Sequence, residues 1–122
     1  MITPIFRIFD SEKAHAFYVD FLGFQVDWEH RFAENLPLYV QVSKDDAVLH
    51  LSEHHGDATP GGAIRINKID LKEYHAAIQD KDYAFANPSI EKKPWGTIEM
   101  TVLDPFSNRI IFYEEVAGSD GD

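Results

Sequence analysis

The chain has 122 residues, 44% hydrophobic and 26% charged, with 21 Asp and Glu against 11 Lys and Arg for a net charge of −10. That length is about one domain with a real core. No apolar run approaches the ~18 residues of a membrane span, and the lack of Cys excludes disulfide scaffolds, thiol catalysis and Cys-built zinc sites. The acidic balance argues against nucleic acid, whose binders carry a basic face for phosphate. Met1–Asp10 lacks the basic start and long apolar stretch of a secretory signal, so the reading is a cytoplasmic protein. A negative surface attracts positive partners over about a Debye length, ~8 Å at physiological salt. A cationic ligand is compatible with that charge, and so is solubility alone.

In chain order, Ile2–Phe9 reads as a strand. Ala14, Phe17, Tyr18, Phe21 and Leu22 then form one apolar stripe, which predicts a helix over 11–22. Asp10 or Ser11 caps its start and Gly23 supplies the left-handed residue at its end. Phe24, Val26 and Trp28 alternate with Gln25, Asp27 and Glu29, and Leu38, Val40 and Val42 alternate with Tyr39, Gln41 and Ser43. Such alternation predicts half-buried strands. Ala47–Glu53 follows the Asp45-Asp46 turn. The polar stretch 56–62 is a linker. Beyond it come a strand at Ala63–Ile69 and a helix over 70–81, with Leu71, Tyr74 and Ile78 on one face. Asp70 and Glu73 there predict a capping box. Strands at Thr97–Leu103 and Arg109–Glu114 flank the turn Asp104–Asn108, in which Pro105 presets φ. The small acidic tail 117–122 is expected to fray.

The order is β-α-β-β-β twice, with an offset of 60 that carries Asp10 onto Asp70 and His15 onto His75. Such a repeat is one supersecondary unit used twice, neither half burying its sheet face alone. The prediction is a single α+β domain over 1–122: module one 1–55, linker 56–62, module two 63–116 and the tail.

This pattern resembles the vicinal oxygen chelate superfamily, which includes glyoxalase I, extradiol dioxygenases, fosfomycin-resistance enzymes and bleomycin resistance proteins. The residues that carry the resemblance are Phe17-Tyr18-Val19-Asp20-Phe21-Leu22-Gly23-Phe24, Asp104-Pro105-Phe106-Ser107-Asn108-Arg109 and Pro94-Trp95-Gly96. The last points to the bleomycin-resistance branch. The resemblance implies two tandem βαβββ modules forming a curved mixed sheet with a concave ligand groove. With Pro4 in the first strand, it also implies a homodimer with first-strand exchange; an ordinary edge-strand Pro is the plainer alternative. Ser107 stands where the turn usually has Gly, which hands the φ > 0 position to Asn108. The superfamily's metal-ligand positions read Thr3, His50, Ala63 and Ile111. Only His50 among them ligates well, whereas a catalytic zinc needs three protein ligands, so neither metal nor other cofactor is expected.

The ligand-binding candidates are Trp28, Phe32, Tyr39, His50, Trp95, Gly96, Glu99 and Tyr113. Trp28, Phe32 and Trp95 match, by resemblance, the aromatics that clamp planar rings of the antibiotic. Burial of either Trp at a subunit interface is the competing explanation. Asp27, Glu29 and Glu99 add attraction for a positive ligand. His15 and His75 are expected on solvated helix faces, His50 either at the surface or lining a cavity. Glu53-His54-His55 is at most an adventitious metal site. No nucleophile motif or glycine-rich phosphate loop is present. The leading function is therefore non-catalytic binding and sequestration of a small cationic, aromatic-bearing compound, a bleomycin-type glycopeptide antibiotic first among them. The alternative is a lyase or isomerase centred on His50, with Glu99 or Tyr113 assisting.

Overall fold

The computed structural model describes residues 1–31, 33–81 and 87–116; Phe32 and the tail 117–122 lie outside the described residues. Two compact units emerge, one of Met1–Gly62 with Asp104–Asn108, the other of Ala63–Leu103 with the last strand. Each unit holds a four-stranded mixed sheet.

In the first unit the strands are β1 (Ile5–Arg7), β2 (Gln25–His30), β3 (Tyr39–Lys44) and β4 (Ala47–Ser52), in the order β1-β4-β3-β2. β1 runs parallel to β4, and the remaining pairs are antiparallel. The second unit repeats this with β5 (Ala63–Asn67), β6 (Ile90–Lys92), β7 (Thr97–Leu103) and β8 (Arg109–Glu115), in the order β5-β8-β7-β6. Here β5 is parallel to β8, and β8-β7-β6 is antiparallel. The duplication read from the sequence is thus an α+β fold of two βαβββ modules. β6 completes the second module; three residues are too short for period-2 alternation to betray them.

The helix predicted over 11–22 is two structures in series. α1 (Ser11–His15) starts on Asp10, whose carboxylate accepts the Lys13 backbone N–H at 3.0 Å, the expected cap. The chain then widens into a π-helical segment, Ala16–Phe21, closed by Leu22 N–H donating to the Phe17 carbonyl five residues back. The apolar stripe survives the change, with Ala14, Phe17, Tyr18, Phe21 and Leu22 all buried. Gly23, at φ 85°, makes the turn out of it.

α2 (Leu71–Asp80) corrects the capping box. Asp70 sits at φ 60° and makes no side-chain cap; instead Glu114 on β8 accepts the backbone N–H groups of Asp70 and Leu71 at 3.0 and 3.1 Å. The carboxylate answers two of the four orphan donors of the first turn and complements the helix dipole.

The turn Asp104–Asn108 belongs to the first unit and is organised by one buried carboxylate. Asp104 accepts the Phe106 and Asn108 backbone N–H groups at 2.8 Å each, the Asn108 amide at 2.9 Å and the Tyr18 hydroxyl at 2.7 Å. Burial and the neighbouring Asp104 charge raise the Tyr18 pKa well above the usual phenol value. Ser107 itself takes the left-handed conformation, at φ 71°, rather than Asn108. Asn108 is thereby free to accept from Gly62 N–H and to donate to the Arg7 carbonyl.

Candidate functional site

Each unit carries a cluster of aromatic and polar side chains on one face of its sheet. In the first, the decisive feature is a β-bulge in β2. Val26 pairs with Val42 and Trp28 with Gln41, which leaves Asp27 as the extra residue between them. A bulge places two successive side chains on one side of the strand and re-aims the residues beyond it. Asp27 and Trp28 therefore share the face of Tyr39, Gln41 and Ser43, while Glu29, opposite Val40, moves to the other face with Val26. The strict alternation predicted for this strand fails here, and Glu29 is removed from the acidic set beside Trp28. β2 is also exposed along its whole length rather than half-buried.

On the shared face Trp28, 43% exposed, lies parallel to Tyr39 with ring centroids 6.0 Å apart and planes 9° apart. His50 from β4 stands edge-on to both, at 5.3 and 5.1 Å. Both His50 ring nitrogens are engaged: Nδ1 lies 2.7 Å from the Tyr39 hydroxyl and Nε2 2.9 Å from the Gln41 amide oxygen. One consistent assignment has Tyr39 donating to Nδ1 and Nε2–H donating to Gln41. Gln41 in turn donates to Asp27, which also accepts from Ser43 and Gln25, all at 3.0 Å. Those three bonds hold the Asp27 carboxyl below its usual pKa. Desolvation lowers the pKa of His50, favouring the neutral ring of that assignment, and raises that of Tyr39. Gln41 and Ser43 join the expected Trp28, Tyr39 and His50 in this cluster; their only signal in the sequence is their alternation with the apolar residues of β3.

In the second unit Glu99, 5% exposed, is the hub. Arg65 from β5 forks onto both its oxygens at 3.1 and 3.4 Å; the Thr97 hydroxyl donates at 2.8 Å and the Trp95 indole N–H at 3.2 Å. The Arg65 hydrogen bonds, foremost, hold the Glu99 carboxyl below its usual pKa. Arg65 also lies 4.5 Å over the Tyr113 ring. Trp95 is 66% exposed. Its turn depends on Gly96 at φ 93°, whose N–H donates to the Lys93 carbonyl, so the indole is both presented and pinned. Arg65 was missed; it is the lone charge in the apolar alternation Ala63–Asn67.

Thr3, His50, Ala63 and Ile111 do not fit a divalent ion, because two offer no donor and His50 has both nitrogens committed. Among the described residues no three His, Asp or Glu side chains gather as a metal site. Glu53, the first member of the Glu53-His54-His55 run, accepts the Leu38 backbone N–H at 2.9 Å. His75 is half-buried, and its Nε2 reaches the Pro88 carbonyl at 2.8 Å. Phe32 lies outside the described residues.

Two four-stranded mixed sheets, each with a parallel β1–β4-type pair and one helix, define the class of fold built on paired βαβββ modules. The chain belongs to the glyoxalase superfamily: the model of that family, described as glyoxalase superfamily protein, matches residues 1–119. No curated protein matches the sequence. A solved member of the glyoxalase/bleomycin resistance protein/dioxygenase superfamily from Sphaerobacter thermophilus is similar at 26% identity and TM-score 0.70, over 93% of this chain and 94% of that one. A bleomycin-binding protein solved with bleomycin is similar at 19% identity and TM-score 0.70, over 94% and 98%. An antibiotic binding protein from Streptomyces sp. CB03234 is similar at 22% and TM-score 0.66, over 94% and 96%.

Proposed function

We propose that the protein binds and sequesters a small cationic, aromatic-bearing compound, a bleomycin-type antibiotic first among candidates, without transforming it. The observation that carries this reading is the exposed Trp28 ring stacked on Tyr39 and braced by His50. A planar ring laid on that platform gains about 0.5–1.5 kcal/mol per aromatic pair beyond the area it buries. Asp27 supplies a carboxylate on the same face, held ionised by three donors. The exposed Trp95 indole, pinned by Glu99 and with Gly96 shaping its turn, offers a second aromatic surface in this reading, beside a Tyr113 ring covered by Arg65. The bleomycin-binding and antibiotic-binding proteins of like fold support the ligand class.

The His50-centred enzyme draws less support from the same geometry. A general base needs an open lone pair aimed at substrate, and both His50 nitrogens face protein groups. Glu99 is equally committed.

Calorimetric titration with metal-free bleomycin tests the proposal. Saturable binding is expected, weakened about tenfold by Trp28→Ala, with the drug recovered at unchanged mass after long incubation. No heat and no retention on dialysis, or recovery of a modified drug, would overturn it.

A further inference from the structure

The opposite face of the first sheet carries a cavity that the aromatic cluster does not use. It has a volume of about 240 Å³ and lies between that face and the first helix. Val26, Val40, Val42 and Leu51 line it from β2, β3 and β4, and Ala14 and Val19 from the helical side. Val40 pairs with Leu51, and Val42 with Val26, so these side chains share the face away from Tyr39, Gln41 and His50. An enclosed apolar cavity of ~150 Å³ is enough to hold benzene.

Two features of the chain create this space. Without the bulge, Trp28 would follow Val26 on this face; the extra residue sends Trp28 to the other side and puts Glu29 here. On the helical side the wall includes Tyr18 and Val19 from the wide π-helical turn. The exposed carboxylates Glu12 and Glu29 border the cavity, and neither has an ion pair among the described residues.

We propose that this cavity is a second binding site, for a small amphiphile with a compact apolar body and a cationic ammonium head. The apolar body occupies the space between Val40, Val42 and Val19, and the ammonium sits between Glu12 and Glu29 at the border. The charge complementarity selects this occupant over a neutral or anionic one of equal size. The site does not depend on antibiotic binding at the other face.

The test uses the full chain with n-hexylammonium, n-hexanol and n-hexanoate, read by the methyl chemical shifts of Val26, Val40, Val42 and Leu51. Saturable shifts are expected with n-hexylammonium, which should bind about tenfold more tightly than n-hexanoate if both carboxylates act on the head group. Glu29→Gln should erase much of that preference and leave n-hexanol unchanged. Val26→Phe, which extends a ring from an exposed strand position into the cavity, should reduce binding of all three. The proposal is overturned if these methyl groups do not respond, or if the three probes bind equally and Glu29→Gln changes nothing. Shifts confined to the Trp28–Tyr39 face would also overturn it. So would shifts that track protein concentration without probe, which mean that a second copy covers the cavity.

Discussion

At the residue scale, the site is made of side chains whose hydrogen bonding is spent on one another. The Tyr39–His50–Gln41–Asp27 chain fixes two rings and one carboxylate while leaving the outer aromatic surface to solvent. Desolvation lowers the His50 pKa and so favours a neutral imidazole in this chain. A histidine with a folded pKa below its unfolded value of ~6.5 contributes stability that is full above that value and is lost as pH falls through the folded pKa. Melting temperature is thus expected to decline on acidification from about pH 6.5 downward, and His50→Gln should flatten that part of the profile. A His50 resonance titrating at or above the usual value by NMR would contradict this. Trp28 was legible in the sequence as an aromatic residue between two charges on a strand, Tyr39 through its alternation with apolar residues, and His50 through the metal-ligand position that the resemblance assigns it. Their contact was not, since it depends on the register of β2 on β3, and one unpaired residue shifts which side chains share a face. Glu29 illustrates the failure: period-2 counting placed it with Asp27, and the bulge put it on the far side.

At the element scale, strands and helices with strong periodicity were readable and those governed by distant partners were not. The helix start at Asp10 is local, a side chain meeting a backbone N–H three residues on, and was predicted. The start of α2 is closed from 43 and 44 residues away by Glu114, which no local pattern reveals. Glu114→Ala is therefore expected to cost about 0.5–2 kcal/mol, the usual worth of a helix cap, while Glu73→Ala leaves stability nearly unchanged. Urea unfolding of the two variants separates them; equal losses, or a larger loss for Glu73→Ala, would restore the local capping box. The π-helical segment was also hidden, because its buried stripe of Phe17, Tyr18, Phe21 and Leu22 satisfies α-helical spacing equally well.

At the scale of the whole molecule, the duplication was the most legible property. An offset of 60 residues between helix starts anticipated one βαβββ order used twice; the strands form two four-stranded sheets rather than one curved sheet, each with a parallel outer pair and an antiparallel run beside it. Each unit carries its own exposed tryptophan, pinned in one case by stacking on Tyr39 and in the other by Glu99. We propose the homodimer that the resemblance implies; sedimentation velocity is expected to give twice the chain mass, and a monomer at all concentrations would refute it. No helix among the described residues is long and apolar enough to cross a membrane.

The chain has two tryptophans, one in each unit, so intrinsic fluorescence reads both clusters at once. Titration of metal-stripped protein with bleomycin, in the wild type and in Trp28→Phe and Trp95→Phe, tests the proposed binding function most directly. Saturable quenching is expected in the wild type, and quenching of the single remaining indole in each variant. Emission that stays unchanged up to high micromolar bleomycin in all three proteins would contradict it.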